Sequence, residues 1–160
     1  MDRSKSVIIK KDRRWLNAAI VTAMFNGGIT KGLERGALAA LKEAGVPDEQ
    51  VTVYEVAGSF EVAQLAMKLG ASKRYQAVVA LGVIIKGETS HDKHLADAVT
   101  SGLLNVGHQT GVAVGLGVIT ANTVEQAEAR AADDDRNRGY GSAAAAVNLA
   151  DHFHDLSQSG

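Results

Sequence analysis

The residues best suited to chemistry lie in one stretch, residues 77 to 94, which reads AVVALGVIIKGETSHDKH. Its first nine residues are apolar, and a short run rich in β-branched side chains predicts a strand buried on both faces. The run ends at a polar loop, where Thr89 or Ser90 is a candidate N-cap of the next helix. A helix N-terminus beyond a strand end offers free N–H groups to an anion, and His91 can exchange protons near neutral pH. We therefore predict an anion site beside a proton-transfer group.

Polar residues also follow the other apolar runs. Phe25 and Asn26 follow one, Gly58 to Glu61 follow another, and Thr120 to Asn122 follow a third. None of these signals is specific alone, because a Gly-Ser turn is common and a phenylalanine at a strand end usually packs in a core. If the strands are parallel, however, all these loops meet at one edge of the sheet, which favours a binding site there.

Several familiar site motifs are absent from the sequence. There is no G-x-G-x-x-G after the first strand, no Walker A sequence and no G-x-S-x-G nucleophile elbow, so dinucleotide, nucleoside triphosphate and serine hydrolase functions lack support. His91 and His94 lie three residues apart on one predicted helix face and could bind a metal ion, but no carboxylate partner is obvious. Metal binding stays open as the less favoured alternative.

The elements that must position these residues alternate between strand and helix. The strands are predicted over residues 18–25, 51–56, 77–85 and 112–120. The helices are predicted over residues 30–44, 61–69, 90–107, 123–131 and 139–153, with Thr30, and either Asn122 or Thr123, as caps. Short connections between them predict an α/β fold with a mainly parallel four-stranded sheet and helices on both faces. The patch at Val7 to Ile9 could pair at the edge of this sheet or a neighbour's, and residues 10–14 are predicted to be a solvated linker.

Length and composition describe one ordinary globular domain spanning residues 1–160, with an arm over 1–17 and a frayed tail over 155–160. The chain is 46% hydrophobic with a net charge of −1, which argues against a nucleic-acid or membrane-surface role. It has no cysteine, so disulfides and thiolate metal sites are excluded. No apolar run is long enough for a membrane span and no signal-peptide hydrophobic region follows the N-terminus, so we expect a cytoplasmic protein.

Taken together, the motifs resemble those of the lumazine synthases. The markers are Phe25-Asn26, AGSFE at 57–61, ALGVIIKGETSH at 80–91, GVITANTVEQA at 117–127, Arg130, and Asn137-Arg138-Gly139. Each motif is moderately specific, and their order and separation make the set specific over residues 18–153.

The resemblance implies a flavodoxin-like three-layer sandwich that condenses 5-amino-6-(D-ribitylamino)uracil with 3,4-dihydroxy-2-butanone 4-phosphate. The products are 6,7-dimethyl-8-ribityllumazine, phosphate and water, in the penultimate step of riboflavin biosynthesis. The family assembles as pentamers or as shells of twelve pentamers, with active sites between subunits, and uses no metal or organic cofactor. Riboflavin synthase is a candidate partner.

The resemblance also assigns roles to residues. His91 transfers protons. The pyrimidine and its ribityl chain are bound by Phe25, Asn26, Gly58, Ser59, Phe60, Glu61, Val83, Ile84, Ile85, Leu116 and Arg138. The phosphate is bound by Gly87, Glu88, Thr89 and Arg130. Leu116 and Arg130 are expected to come from the adjoining subunit.

The chain departs from the family pattern at several positions. Met24 replaces a usual arginine, Leu116 replaces an aromatic, and Asp92-Lys93-His94 replaces a usual Phe-Asp-Tyr. The acidic run at residues 133–135 stands where more basic residues are usual, either as a solvated turn or opposing the phosphate. These departures leave open a shell-forming or ligand-binding homologue with weak catalysis. A different flavodoxin-like phosphosugar enzyme is a further alternative.

Overall fold

The computed structural model describes residues 8–87 and 90–159 and contains one four-stranded parallel sheet in the order β2-β1-β3-β4. The strands are β1 (Ala18–Ala23), β2 (Val51–Val56), β3 (Ala77–Ile85) and β4 (Ala113–Ala121). The helices are α1 (Gly27–Glu43), α2 (Ser59–Ala71), α3 (His91–Thr110), α4 (Val124–Arg130) and α5 (Arg138–Gln158). The α/β prediction is confirmed.

The sheet is the middle layer of a three-layer, flavodoxin-like sandwich. Successive residues of a strand point to opposite faces, so Val79 and Leu81 of β3 pack with α1 and α5, whereas Val78 and Ala80 pack with α2 and α3. Both faces of β3 are therefore buried, which explains why its sequence is apolar at nearly every position. The predicted limits of β2 and β3 match the structure at both ends.

Three helices begin earlier than predicted. Asn26 adopts the left-handed conformation (φ 61°) at the N-cap position of α1, so Thr30 lies inside the helix rather than capping it. Helix α2 begins at Ser59, and α5 begins at Arg138 with the Asn137 side chain accepting a hydrogen bond from the Tyr140 amide. Helix α5 also continues to Gln158, so residues 155–158 of the predicted tail are helical.

Four of the five residues predicted to be a solvated linker, 10–12 and 14, are exposed, but Arg13 is only 1% exposed. Its guanidinium donates two hydrogen bonds to the Asp151 carboxylate, at 3.0 and 2.8 Å, and further bonds to the carbonyls of Ile9 and Ala44. Ile8 and Ile9 form no strand here, and Val7 lies outside the described residues. The segment is thus held against α5 by a partly buried ion pair.

Among the helices in the described part of the chain, none is both long enough and apolar enough to cross a membrane.

Candidate functional site

The loops that follow the strands meet at the carboxyl edge of the sheet, as the parallel arrangement requires. Two of them are tied together by backbone hydrogen bonds, from the Met24 amide to the Val56 carbonyl (2.7 Å) and from the Phe25 amide to the Ala57 carbonyl (3.0 Å). The left-handed Asn26 then turns the chain into α1. Phe25 is thereby fixed at the edge of the sheet, with its side chain 72% exposed.

One cavity at this edge, which we name the aromatic cavity, has a volume of about 780 Å³. It is lined by Phe25, Gly58, Ser59, Phe60, Glu61, Val83, Ile84, Ile85, His91, Asp92, His94, Leu95 and Ala98. Phe60 is 59% exposed there. Two exposed aromatic rings, an apolar floor and a few polar groups are the usual composition of a site for a flat organic ligand.

The polar side of the aromatic cavity is formed by the first turn of α2. Gly58 is extended, and its carbonyl accepts hydrogen bonds from the amides of Glu61 and Val62 at 3.1 Å, which starts the helix. Ser59 is only 6% exposed, whereas Phe60 projects outward and Glu61 is half-buried. A hydroxyl and a carboxylate are thus held close to the two rings.

His91 is the first residue of α3 and lines the aromatic cavity with an exposed side chain. Ser90 occupies the N-cap position, but its side chain makes no capping hydrogen bond. Gly87 is exposed. The two remaining residues of the predicted phosphate loop, Glu88 and Thr89, lie outside the described residues.

A second space, which we name the polar cavity, has a volume of about 440 Å³ and adjoins the aromatic cavity at Ile84 and Asp92. Its other lining residues include Lys86, Lys93, Asp97, Asn122, Gln126 and Arg130. The Arg130 guanidinium donates a hydrogen bond of 2.6 Å to the Thr120 carbonyl. The polar cavity therefore brings cationic groups close to the loop that contains Gly87.

Five described residues of the predicted site do not line the aromatic cavity, and two of them, Asn26 and Gly87, lie in the loops beside it. Leu116, Arg130 and Arg138 line a smaller surface hollow of about 310 Å³ along β4 and the start of α5. Leu116 is 37% exposed on this edge strand, and Arg138 is half-buried. A single chain thus divides the predicted residues between two surfaces.

The acidic run at residues 133–135 is exposed and partly neutralised. Asp133 pairs with Arg35 at 3.4 Å, and Asp134 pairs with Arg136 at 3.0 Å. Hydrogen bonds from the Arg136 side chain and backbone lower the pKa of Asp134 below its usual value. The interpretation of this run as a solvated turn fits these contacts.

Four cavity residues were not predicted to bind substrate, although His94 was placed on one helix face with His91 as a possible metal ligand. Asp92, His94, Leu95 and Ala98 line the aromatic cavity with His91, and helical spacing of three, four and seven residues from His91 could have identified three of them. Among the residues that the structure describes, no three His, Asp or Glu side chains are grouped so that they could hold a metal ion.

Comparison with known proteins gives a consistent result over most of the chain. A sequence model of the family described as 6,7-dimethyl-8-ribityllumazine synthase matches residues 16–154. A protein of that name from Anaeromyxobacter dehalogenans (strain 2CP-C) is 42% identical over 135 residues, which cover 84% of this chain and 83% of the relative.

Proposed function

This chain belongs to the 6,7-dimethyl-8-ribityllumazine synthase family of transferases, and from that premise we propose how its residues condense the pyrimidine and the butanone phosphate of riboflavin biosynthesis. The observation that carries the proposal is the aromatic cavity, where Phe25, Ser59, Phe60, Glu61 and His91 meet at the carboxyl edge of the sheet. This set matches the chemistry of the substrates, which combine a flat ring with a polyol and react through proton transfers.

The pyrimidine ring stacks on Phe25, whose large exposure in the free chain leaves one face available. The floor of Val83, Ile84 and Ile85 excludes water from the other side of the cavity. The ribityl hydroxyls exchange their hydrogen bonds with water for bonds to the Ser59 hydroxyl and the Glu61 carboxylate. These new hydrogen bonds compensate the free-energy cost of removing the ribityl hydroxyls from water, so that their burial does not weaken binding.

Beside the ring, His91 moves protons during the condensation. The 5-amino group of the pyrimidine attacks the ketone and water leaves as an imine forms. Phosphate is then eliminated, and the resulting enol becomes a ketone. The 6-ribitylamino nitrogen attacks this carbonyl, and a second water leaves as the ring closes. Each step transfers a proton near neutral pH, and a positioned imidazole contributes about a hundredfold or more to such steps. Orientation of the two substrates supplies much of the remaining acceleration, so His91 speeds the reaction without being indispensable.

The phosphate of the second substrate binds at the loop of Gly87, Glu88 and Thr89 together with Arg130. A guanidinium forms charge-assisted, paired hydrogen bonds with phosphate oxygens. Lys86 and Lys93 of the polar cavity add positive charge nearby.

We assign Leu116, Arg130 and Arg138 to the neighbouring copy, so that each active site is completed by two subunits. Two facts support this assignment. Leu116 and Arg138 line a hollow separate from the aromatic cavity, and Arg130 lines that hollow as well as the polar cavity of its own chain. Exposed apolar side chains, including Leu104 and Phe153, also accompany Leu116 on that side of the molecule. Burial of such a patch against a second copy is favourable. The assembly is a pentamer or a shell of twelve pentamers, and residues 7–9 can add a strand to a neighbour's sheet.

Other proposals follow from family membership alone. We propose that the enzyme works in the cytoplasm without a metal or organic cofactor, and that riboflavin synthase, which uses the lumazine product, is its partner.

A second candidate is a shell-forming homologue that binds substrates but turns over slowly. Leu116 favours it, because an aliphatic side chain replaces the aromatic expected to cover the ring from the neighbouring copy. The two candidates are separated by mixing purified protein with both substrates and following the lumazine chromophore. The proposed enzyme forms product, and His91→Ala lowers kcat about a hundredfold while His91→Gln remains folded and equally slow. Absence of product from a fully assembled wild-type oligomer would favour the shell, and full activity in His91→Ala would exclude the proposed role of His91.

A further inference from the structure

The close approach of α2 to the centre of the sheet depends on residue 82 being a glycine, which has no side chain. This residue lies on β3, faces α2 and is buried. A methyl group added at its Cα would lie 2.5 Å from the Ser59 hydroxyl oxygen and 3.5 Å from the Cβ atoms of Ser59 and Ala23. The first distance is far inside a normal contact, whereas the other two are ordinary. The conflict therefore involves the hydroxyl and not the backbone.

The hydroxyl has little room to avoid such a methyl group. Ser59 is 6% exposed, and Ala23 and Val62 beside it are fully buried. Side chains occupy discrete staggered rotamers, so the hydroxyl would have to leave its present position, or the first turn of α2 would have to move away from β3. Both responses change what Ser59 and Phe60 present to the aromatic cavity.

We propose that Gly82 is a positioning residue for the pyrimidine substrate: it lets α2 begin directly against β3 and so fixes the Ser59 hydroxyl on the polar side of the aromatic cavity. This inference rests on the proposed function, in which Ser59 binds the ribityl chain. Its specific consequence is that residues 59 and 82 act through one hydroxyl. Adding a methyl group at residue 82 and removing the hydroxyl at residue 59 are therefore expected to weaken pyrimidine binding equally. The double variant is expected to bind no more weakly than either single variant.

The chain offers a matched control at the other end of the same helix. A methyl group at Gly70 of α2 would lie 2.6 Å from the Thr110 hydroxyl oxygen and 3.1 Å from Thr110 Cβ and Val112 Cγ1, so Gly70→Ala creates crowding at least as severe at the opposite edge of the sheet. Gly70 and Thr110 do not line the aromatic cavity. The control separates displacement of the binding hydroxyl from general overpacking of the helix.

The test compares Gly82→Ala, Ser59→Ala, the double variant and Gly70→Ala in steady-state assays with each substrate varied in turn. Gly82→Ala, Ser59→Ala and the double variant are each expected to raise KM for the pyrimidine about tenfold, the effect of losing one hydrogen bond, and to change KM for the butanone phosphate less than twofold. Gly70→Ala is expected to leave both KM values unchanged. A wild-type pyrimidine KM in Gly82→Ala, or a loss in the double variant equal to the product of the two single losses, would overturn the proposal.

A second readout does not depend on turnover. Amide hydrogen exchange over residues 59–62 is expected to be faster in Gly82→Ala and to return to the Ser59→Ala rate in the double variant, where the added methyl group has space. If the wild-type chain makes no product, the proposed function fails, and unchanged exchange in Gly82→Ala would separately overturn the positioning role. If Gly82→Ala does not fold, a folded double variant supports the proposal, and failure of both variants to fold contradicts it.

Discussion

Replacement of Phe25 by alanine should weaken pyrimidine binding without weakening the fold. Phe25 is 72% exposed in the free chain, so its ring contributes little to folding. A stacked pyrimidine covers about one face of the ring, roughly 70 Å² of the ~200 Å² of a Phe side chain, which is worth about 2 kcal/mol at 25 cal/mol per Å². The stacking geometry adds about 1 kcal/mol. The sum of about 3 kcal/mol corresponds to an affinity loss of about a hundredfold.

The assay is calorimetric titration with the 6-(ribitylamino)uracil that lacks the reactive 5-amino group, together with thermal unfolding of each variant. Phe25→Leu keeps most of the apolar area and should lose about tenfold or less. Leu156→Ala is the matched control, because Leu156 is 71% exposed on α5 and lies outside the site. An affinity for Phe25→Ala within twofold of the wild type would refute the stacking role. A large fall in the unfolding temperature of Phe25→Ala would refute the claim that Phe25 contributes to binding and little to folding.

Three further predictions concern other contacts. Arg130→Ala should raise KM for the butanone phosphate by about thirtyfold, the loss of a charge-assisted hydrogen bond, and leave KM for the pyrimidine unchanged in the same kinetic assay. Leu116→Phe should lower KM for the pyrimidine about fivefold by adding a stacking ring; an unchanged value would exclude Leu116 from the site. Asp151→Asn should lower the free energy of unfolding by about 3 kcal/mol in urea titrations, because Arg13 would then be buried without its counter-charge.

Asp151 also predicts how stability depends on pH. Burial alone would raise the pKa of Asp151, but hydrogen bonds from Arg13 and the charges of Arg13 and Lys11 outweigh it and lower the pKa below its usual value. A depressed carboxyl pKa stabilises the fold above the unfolded-state value of about 3.9 and loses this contribution as pH falls through the folded-state value. Stability of the wild type should therefore fall below about pH 4 more steeply than that of Asp151→Asn; equal slopes would contradict the pairing.

The sequence predicted those parts of the fold that depend on local pattern. The strand over Ala77–Ile85 is a continuous apolar run ended by a polar loop, and both signals are visible in the chain itself. The early start of α1 was not predictable in the same way, because it depends on the left-handed conformation of Asn26. Thr30 looks like a cap only if the preceding glycines are taken to be a turn.

Features that depend on distant partners were missed. Arg13 lies in a charged segment that resembles a linker, and its half-buried partner, Asp151, is 138 residues away. Asn137 caps α5 and also donates hydrogen bonds to the Gly32 and Ala132 carbonyls at 3.0 Å. In contrast, the proximity of the residues that line the aromatic cavity was predictable, because parallel strands bring their loops to one edge of the sheet. The location of Leu116 and Arg138 on a different surface depends on how α5 packs against β4.

The most direct test of the two-subunit active site is activity in hybrid oligomers of His91→Ala and Arg130→Ala. The two variants carry different affinity tags, are co-expressed, and are purified through both tags. Activity is measured at a butanone phosphate concentration well below the wild-type KM, where both single variants are slow. If His91 of one copy works with Arg130 of the next, random mixing leaves about one quarter of the sites with both residues intact, and the hybrid should recover about that fraction of the wild-type rate. Turnover no higher than the average of the two single variants would show that both residues serve the site of their own chain, and would contradict the shared site.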